Sequence, residues 1–81
     1  MLWFLWHVIN TKDEVLIKAF GMRVRELRKQ KKLTMEKLAE LSGIDYRQLS
    51  YVELGDTNPT ISTASSIAKG LAIPLKDLFD F

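Results

Sequence analysis

The chain has 81 residues, enough for one small domain. Hydrophobic residues make up 47% and charged residues 27%, a composition typical of a folded globular protein. The absence of cysteine excludes a disulfide framework, cysteine-ligated metals and thiol catalysis, and a single histidine, His7, argues against a multi-histidine metal site or a catalytic triad. We therefore expect no cofactor, and with no evident export signal we expect a cytoplasmic location.

The net charge of +2 hides an uneven distribution along the chain. Residues 12–32 carry eight Lys/Arg against three Asp/Glu, a balance of +5, whereas residues 33–81 carry four against seven, a balance of −3. A basic segment of this kind is typical of a surface that faces a polyanion, and it is equally typical of a solvated helix face. Charge alone leaves both interpretations open.

Residues 1–9, MLWFLWHVI, form an apolar and aromatic run. The run is shorter than the roughly 20 residues that span a bilayer, and it lacks the basic start and small-residue cleavage site of a secretion signal. We interpret residues 1–10 as an apolar N-terminal extension of a domain formed by residues 11–81. Because such a run is expected to be covered, three possibilities stay open: packing on its own domain, strand pairing with another chain, and docking in the groove of a partner.

Five helices with short connections are predicted in chain order, and no strand pair is evident. The first starts near Thr11, whose Thr-Lys-Asp-Glu pattern is that of a capping box. Thr34 caps a second helix over 35–41, Asp45 begins a third in a capping-box variant with Gln48, Thr60 caps a fourth, and the last starts at Pro74. The residues expected to face inward are Leu16, Phe20, Val24 and Leu27, then Leu38, Ala39 and Leu41, then Leu49 and Val52, then Ile61, Ala64, Ile67, Ala68 and Leu71, and finally Leu75, Leu78 and Phe79.

The junction between the second and third predicted helices is the most informative part of the chain. Ala39 is small where a second helix must cross closely, and Gly43 permits a left-handed turn. Ile44, Leu49 and Val52 can then hold the third helix against the second. Two short helices joined in this way are the steric pattern of a helix-turn-helix unit.

Short motifs run through residues 20–79 in a fixed order. They are Arg23-x-Arg-Glu-Leu-Arg28, Leu33-Thr34, Leu38-Ala39, Gly43-Ile44, Glu53-x-Gly55, Asn58-Pro59-Thr60, Ile67-Ala68 and Leu78-Phe79. In this combination the segment resembles the Cro/phage-repressor type of helix-turn-helix domain, often called XRE-like. The resemblance implies an all-α, five-helix, lambda-repressor-like fold, sequence-specific binding to double-stranded DNA and a homodimer. It does not extend to residues 1–19.

The resemblance assigns the outward residues of the third helix to the major groove of DNA, and helical periodicity leaves the same residues outward. They are Tyr46, Arg47, Ser50 and Tyr51. Arg47 suits a bidentate contact with guanine O6 and N7, the alternative being a plain exposed charge. The two tyrosines suit phosphate hydroxyl contacts or a thymine methyl, the alternative being half-buried packing.

Phosphate contacts are expected at the start of the second helix and in the loop before the fourth. The candidates are Lys32, Thr34, Met35, Thr57, Asn58 and Thr60. Met35 departs from the family, which commonly has a phosphate-bonding Gln there, and the loop residues have turn formation and helix capping as their alternative role. Ala72 is a second departure, since the family often has Gly after the fourth helix.

Arg28 and Glu53 have a structural role in the family, where they pair and connect the first helix to the end of the third. A phosphate-facing Arg28 is the alternative.

The sequence thus predicts a DNA-binding transcriptional regulator, with repression expected, that places helix 45–53 in the major groove and acts as a homodimer on a pseudo-palindromic site. The alternative is an antitoxin or other interaction module whose main partner is a protein, contacted through residues 1–10. An enzyme is disfavoured because no nucleophile and base can be paired, and no membrane association is expected.

Overall fold

The computed structural model describes residues 13–81, which form four α-helices and one 3₁₀ helix, with no strand in that range. The helices are α1 (Glu14–Gln30), α2 (Met35–Ser42), α3 (Tyr46–Leu54), α4 (Ile61–Leu71) and the 3₁₀ helix (Leu75–Phe79). The predicted all-α fold is confirmed, and the fifth helix is of the 3₁₀ type. Predictions about the apolar extension fall on residues 1–12, outside the described residues. Within residues 13–81, no helix combines the length and apolar character that a membrane crossing requires.

Side-chain caps set where the helices begin. Asp13, rather than the predicted Thr11, is the N-cap of α1. Thr34 and Thr60 cap α2 and α4 as predicted, each accepting a hydrogen bond from the backbone N–H three residues later, at 3.1 and 3.0 Å. Asp45 caps α3 through the N–H two residues later, at 2.7 Å. The prediction that Gln48 completes a capping box with Asp45 was wrong, because the side-chain amide of Gln48 donates a hydrogen bond to Thr63 in α4.

One hydrophobic core joins all five helices. Its central side chains are almost fully inaccessible to solvent, as predicted for Val24, Leu38, Leu49, Ile67 and Leu78. The core cluster comprises Phe20, Val24, Leu27, Leu38, Ala39, Leu49, Val52, Ala64, Ile67, Ala68, Leu71 and Leu78. The apolar periodicity of the sequence therefore identified most of the core.

Four residues predicted to face inward are exposed instead. They are Leu16, Leu41, Ile61 and Phe79. In α1 the buried position belongs to Ile17, and Leu16 is rotated from it by about 100°, the angle between successive helical residues. Ile61 and Phe79 are the first residue of α4 and the last residue of the 3₁₀ helix. Periodicity identifies a face, but it does not say how far along that face the packing extends.

Two glycines allow helices to cross with their backbones in contact. A Cβ atom on Gly21 in α1 would overlap the carbonyl oxygen of Val52 and lie 2.8 Å from that of Glu53, so α1 touches the last turn of α3. A Cβ atom on Gly70 in α4 would overlap the Ser42 side chain at the end of α2. These two crossings fix the helix-turn-helix unit on the rest of the domain.

Candidate nucleic-acid interface

The turn between α2 and α3 is built around Gly43. This residue has φ of 68° and ψ of 28°, the left-handed conformation that glycine adopts without steric cost. The N–H of Ile44 returns to the carbonyl of Ala39 at 3.1 Å, which closes the end of α2, and the Ile44 side chain packs against the core. Asp45 then starts α3, so three consecutive residues set the angle between the two helices.

The helix α3 has one buried face and one exposed face. Leu49 and Val52 are buried, as predicted. Tyr46 and Tyr51 are 47% and 50% exposed, and Arg47 is exposed between them. These three side chains share one side of the helix because residues separated by one, four and five positions fall within about 140° of rotation. The structure thus brings a guanidinium and two phenols together on an open surface.

Ser50 is less exposed than the other predicted base-reading residues. It is half-buried, and it lines a cleft of about 210 Å³ together with Arg25, Met35 and Leu54. The cleft lies where α3 meets the end of α1 and the start of α2. Ser50 is therefore a half-buried member of the same side of α3 as Tyr46, Arg47 and Tyr51.

Arg28 and Glu53 form a buried ion pair that joins α1 to α3. The Arg28 Nε donates to Glu53 Oε2 at 2.7 Å and its Nη2 donates to Oε1 at 3.0 Å. The third guanidinium nitrogen, Nη1, donates to the carbonyl oxygen of Leu33 at 2.9 Å. The hydrogen bond to Glu53 raises the pKa of Arg28 above its ordinary value, and burial acts in the opposite direction. With all three nitrogens engaged inside the protein, Arg28 is not presented to a phosphate.

The candidate phosphate residues at the start of α2 differ in what they offer. Thr34 is exposed, and its hydroxyl oxygen accepts the capping hydrogen bond, so its hydroxyl hydrogen remains available to donate. Lys32 is exposed in the left-handed conformation, with φ of 57°. Met35 is half-buried and packs against the core, so at this position the side chain contributes packing and the backbone N–H is the polar group left to bind an anion.

The loop before α4 carries the remaining candidates. Asn58 is exposed and Thr57 is half-buried. The Thr60 hydroxyl accepts from the Thr63 N–H and donates to Thr63 Oγ1 at 3.1 Å. Both hydrogen-bonding functions of Thr60 are thus used to start α4, which supports the capping role named as its alternative.

The cations of α1 separate into two groups. Arg28 is buried in its ion pair, and Arg23 is half-buried, donating to Glu26 at 2.8 Å and to the carbonyl of Asp77 at 3.1 Å. The remaining cations in the second half of α1 and just after it are exposed and form no ion pair with another described residue. They are Arg25, Lys29, Lys31 and Lys32.

Sequence reasoning overlooked Gln48 as a member of this site. Its side-chain amide donates to Thr63 Oγ1 at 3.2 Å, linking the exposed first turn of α3 to the first turn of α4. The sequence feature that could have indicated this role is the position of Gln48 beside Arg47 on a polar face. The capping-box pattern instead led to the prediction that Gln48 pairs with Asp45. No three carboxylate or imidazole side chains in the described part of the chain gather as a metal ion would require.

Comparison with known proteins agrees with this geometry. A helix-turn-helix family model matches residues 24–78. The HTH-type transcriptional regulator PuuR of Escherichia coli strain K12 is 34% identical over 59 residues, which are 73% of this chain and 32% of PuuR. The HTH-type transcriptional repressor RghR of Bacillus subtilis strain 168 is 35% identical over 63 residues, which are 76% of this chain and 47% of RghR. The chain thus spans less than half of the length of each of these two curated relatives.

A solved structure resembles about three quarters of the chain. The restriction-modification controller protein C.AhdI from Aeromonas hydrophila superposes with a TM-score of 0.76 at 40% identity, covering 78% of this chain and 96% of that one. The family match covers the helices that form the α3 surface and the Arg28–Glu53 pair. This chain therefore belongs to the helix-turn-helix family of the XRE type.

Proposed function

We propose that this protein is a transcriptional regulator that binds a specific sequence in double-stranded DNA by placing α3 in the major groove. The observation that carries the proposal is the division of α3 into a buried face, Leu49 and Val52, and an open face formed by Tyr46, Arg47 and Tyr51. A helix fits the major groove, where each base pair presents a distinct pattern of donors and acceptors. Transcriptional regulation is also the role named for the curated relatives.

Arg47 is assigned the principal base contact. Its guanidinium is exposed in the first turn of α3, the part of a recognition helix that comes nearest the base edges. A bidentate contact with guanine contributes about 1–3 kcal/mol of discrimination against other bases. Tyr46 and Tyr51 flank it and supply hydroxyl donors or apolar contact with thymine, and the half-buried Ser50 hydroxyl is the fourth candidate for a base contact.

Sequence-independent affinity would come from the start of α2 and the exposed cations around it. The backbone N–H groups of α2 and the Thr34 hydroxyl face an anion at this position. Lys32, Thr57 and Asn58 extend the phosphate contacts on either side, and Thr60 caps the helix that follows the loop. Such contacts set the register of the protein on the duplex without reading its sequence.

A homodimer on a pseudo-palindromic site follows from how little sequence one copy can read. A single short helix reaches the edges of only a few base pairs, whereas two copies related by a two-fold axis double the length of the site. The α3 helices would then enter successive major-groove faces about 34 Å apart. We assign repression because a dimer seated on a promoter excludes polymerase, and RghR is a repressor by name. A protein with this role would act in the cytoplasm, where bacterial DNA lies.

The decisive experiment is selection of bound sequences from a random pool of duplex DNA by the purified protein. We expect an enriched site with two inverted half-sites, and binding that weakens steeply as the salt concentration rises. An Arg47→Ala variant serves as the control, since it should lose the base preference at one position of each half-site. A pool with no enriched sequence, together with a stable complex formed with a co-expressed protein in gel filtration, would instead favour the protein-interaction module.

A further inference from the structure

The cleft of about 210 Å³ between α1, α2 and α3 carries one positive charge that no carboxylate of the described residues neutralises. Arg25 lines this cleft, is exposed, and forms no ion pair with another described residue. Glu53, the carboxylate in the cleft wall, already accepts hydrogen bonds from Arg28 on both of its oxygens. Glu26, the next residue after Arg25, pairs with Arg23 at 2.8 Å. Within the described part of the chain, the Arg25 guanidinium is therefore left to bind an anion from outside the domain.

The crossing of α1 and α3 fixes the position of Arg25. Gly21 brings the backbone of α1 against the carbonyl oxygens of Val52 and Glu53 in the last turn of α3. Arg25 lies four residues after Gly21, on the same face of α1 and about 6 Å further along the helix. Because the crossing leaves no room for even a Cβ atom at Gly21, the backbone of α1 holds the Arg25 side chain beside α3.

The cleft continues the exposed side of α3 that carries Arg47. Ser50 and Leu54 line the cleft, and they follow Arg47 by three and seven positions, which places all three within about 60° of rotation around the helix. Leu54 lies about 10 Å along the axis from Arg47 and is 59% exposed. One stripe of α3 therefore runs from the proposed base contact in the first turn to the cleft beside the last turn.

The length of this stripe matches the major groove of DNA. The groove is about 12 Å wide, and the sugar-phosphate backbone forms its two rims. If the first turn of α3 reaches the base edges, the last turn, about 10 Å away, comes near one of the rims. The cleft and the Arg25 guanidinium would then face the backbone of the duplex rather than its bases.

We infer that this cleft receives one phosphodiester of the bound duplex and that Arg25 is the side chain that binds it. The inference rests on the proposed function and adds to it a phosphate contact made by α1. A planar guanidinium donates two parallel hydrogen bonds to one phosphate group. Met35 and Leu54, the apolar walls of the cleft, suit contact with the adjoining deoxyribose.

The test is Arg25→Gln, measured on the duplex that the random-pool selection enriches and on a random duplex. We expect binding about tenfold weaker on both, a slope of log affinity against log salt reduced by about one, and an unchanged base preference. Arg25→Lys should keep the slope, because the charge stays, but should lose affinity several-fold, because an ammonium group cannot make the paired contact. Ethylation of single phosphates should reveal a position that weakens binding of the unsubstituted protein but not of Arg25→Gln.

Lys18→Gln is the matched control. Lys18 is an exposed cation on the same helix without an ion-pair partner among the described residues, but it lines a separate depression that contains two carboxylates, Glu14 and Asp56. Its substitution should change the affinity by less than about twofold and leave the salt slope unchanged. Both variants should keep the melting temperature of the unsubstituted protein in circular dichroism, because both side chains are exposed.

The outcomes separate this inference from the proposed function. If the protein binds a specific duplex through Arg47 while Arg25→Gln behaves like Lys18→Gln, the inference alone is refuted. The same holds if the weaker binding of Arg25→Gln is explained by a loss of folded protein. If the unsubstituted protein shows no specific binding, the proposed function and the inference are both refuted.

Discussion

The carboxylate of Glu53, near the end of α3, receives two hydrogen bonds from the Arg28 guanidinium of α1, at 2.7 and 3.0 Å. The side chains of Arg28 and Glu53 are only 11% and 4% exposed, respectively. Removing one partner therefore leaves a buried charge without compensation. We predict that Glu53→Gln lowers the free energy of unfolding by about 3–5 kcal/mol. Urea denaturation followed by circular dichroism measures this loss.

An exposed ion pair in the same domain provides the control. Lys37 and Glu40 are 3.2 Å apart on α2, with side chains 52% and 72% exposed, and Glu40→Gln should cost no more than about 0.5 kcal/mol. The double change Arg28→Met with Glu53→Leu should cost less than the sum of the two single changes, because neither charge is then left alone. Equal effects of Glu53→Gln and Glu40→Gln would show that the buried pair has no special role in stability.

Ala72 ends α4 in the left-handed conformation, with φ of 59° and ψ of 43°. Most side chains disfavour this region, and glycine adopts it freely. We predict that Ala72→Gly raises the stability by about 0.5–1 kcal/mol, seen as a higher urea midpoint. Gly43→Ala should lower it by about 1 kcal/mol, since Gly43 has the same conformation and nothing lies within 4 Å of its would-be Cβ atom. A stability change of the same sign in both variants would contradict this explanation.

Ser42 has a buried hydroxyl without a hydrogen-bond partner among the described residues, and it lies against Gly70 of α4. Burying an unpaired hydroxyl is unfavourable. We therefore predict that Ser42→Ala leaves the melting temperature unchanged or raises it by a few degrees. Gly70→Ala should lower it clearly, because the new methyl group would overlap Ser42. Calorimetry on the two variants decides the point, and a destabilising Ser42→Ala would mean that the hydroxyl is bonded after all.

The assigned roles in DNA binding separate base reading from phosphate contact. Arg47→Ala should weaken the selected site by about 1–3 kcal/mol and relax the base preference at one position of each half-site. For Lys32 the substitution should be Asn, because Asn tolerates the left-handed backbone that Lys32 adopts. Lys32→Asn should weaken selected and random DNA alike and reduce the slope of log affinity against log salt by about one.

Electrophoretic mobility shift assays at several salt concentrations test both variants on the same two duplexes. Loss of affinity by the same factor on selected and random DNA for Arg47→Ala would remove its base-reading role. If Lys32→Asn instead abolished the preference for particular bases, the assignment of Lys32 to a phosphate contact would be contradicted.

Much of the fold was predictable because its determinants are local. Thr34, Asp45 and Thr60 each cap the helix that follows, and Gly43 supplies the left-handed turn, so sequence neighbours alone place these boundaries. The inward residues of α3 were likewise given by their spacing. The open face of α3 then followed by elimination.

The sequence predictions failed where contacts with a distant part of the chain determine the position or partner of a residue. Gln48 donates a hydrogen bond to Thr63, fifteen residues later, whereas the capping-box pattern predicted that it pairs with the N-cap residue Asp45. The Gly21 crossing depends on the backbone of α3, and nothing near Gly21 in sequence indicates that contact. The half-burial of Ser50 beside the cleft that α3 forms with α1 and α2 is likewise a tertiary feature that local spacing does not indicate, and its role in base reading stays a prediction.

The division of α3 into Leu49 and Val52 on one side and Tyr46, Arg47 and Tyr51 on the other has an evolutionary consequence. Changes at the three outward positions leave the hydrophobic core untouched, so, under the proposed function, the domain could acquire a new operator preference without passing through unfolded intermediates. Duplicated copies of such a gene are therefore free to diverge in their targets while sharing one scaffold.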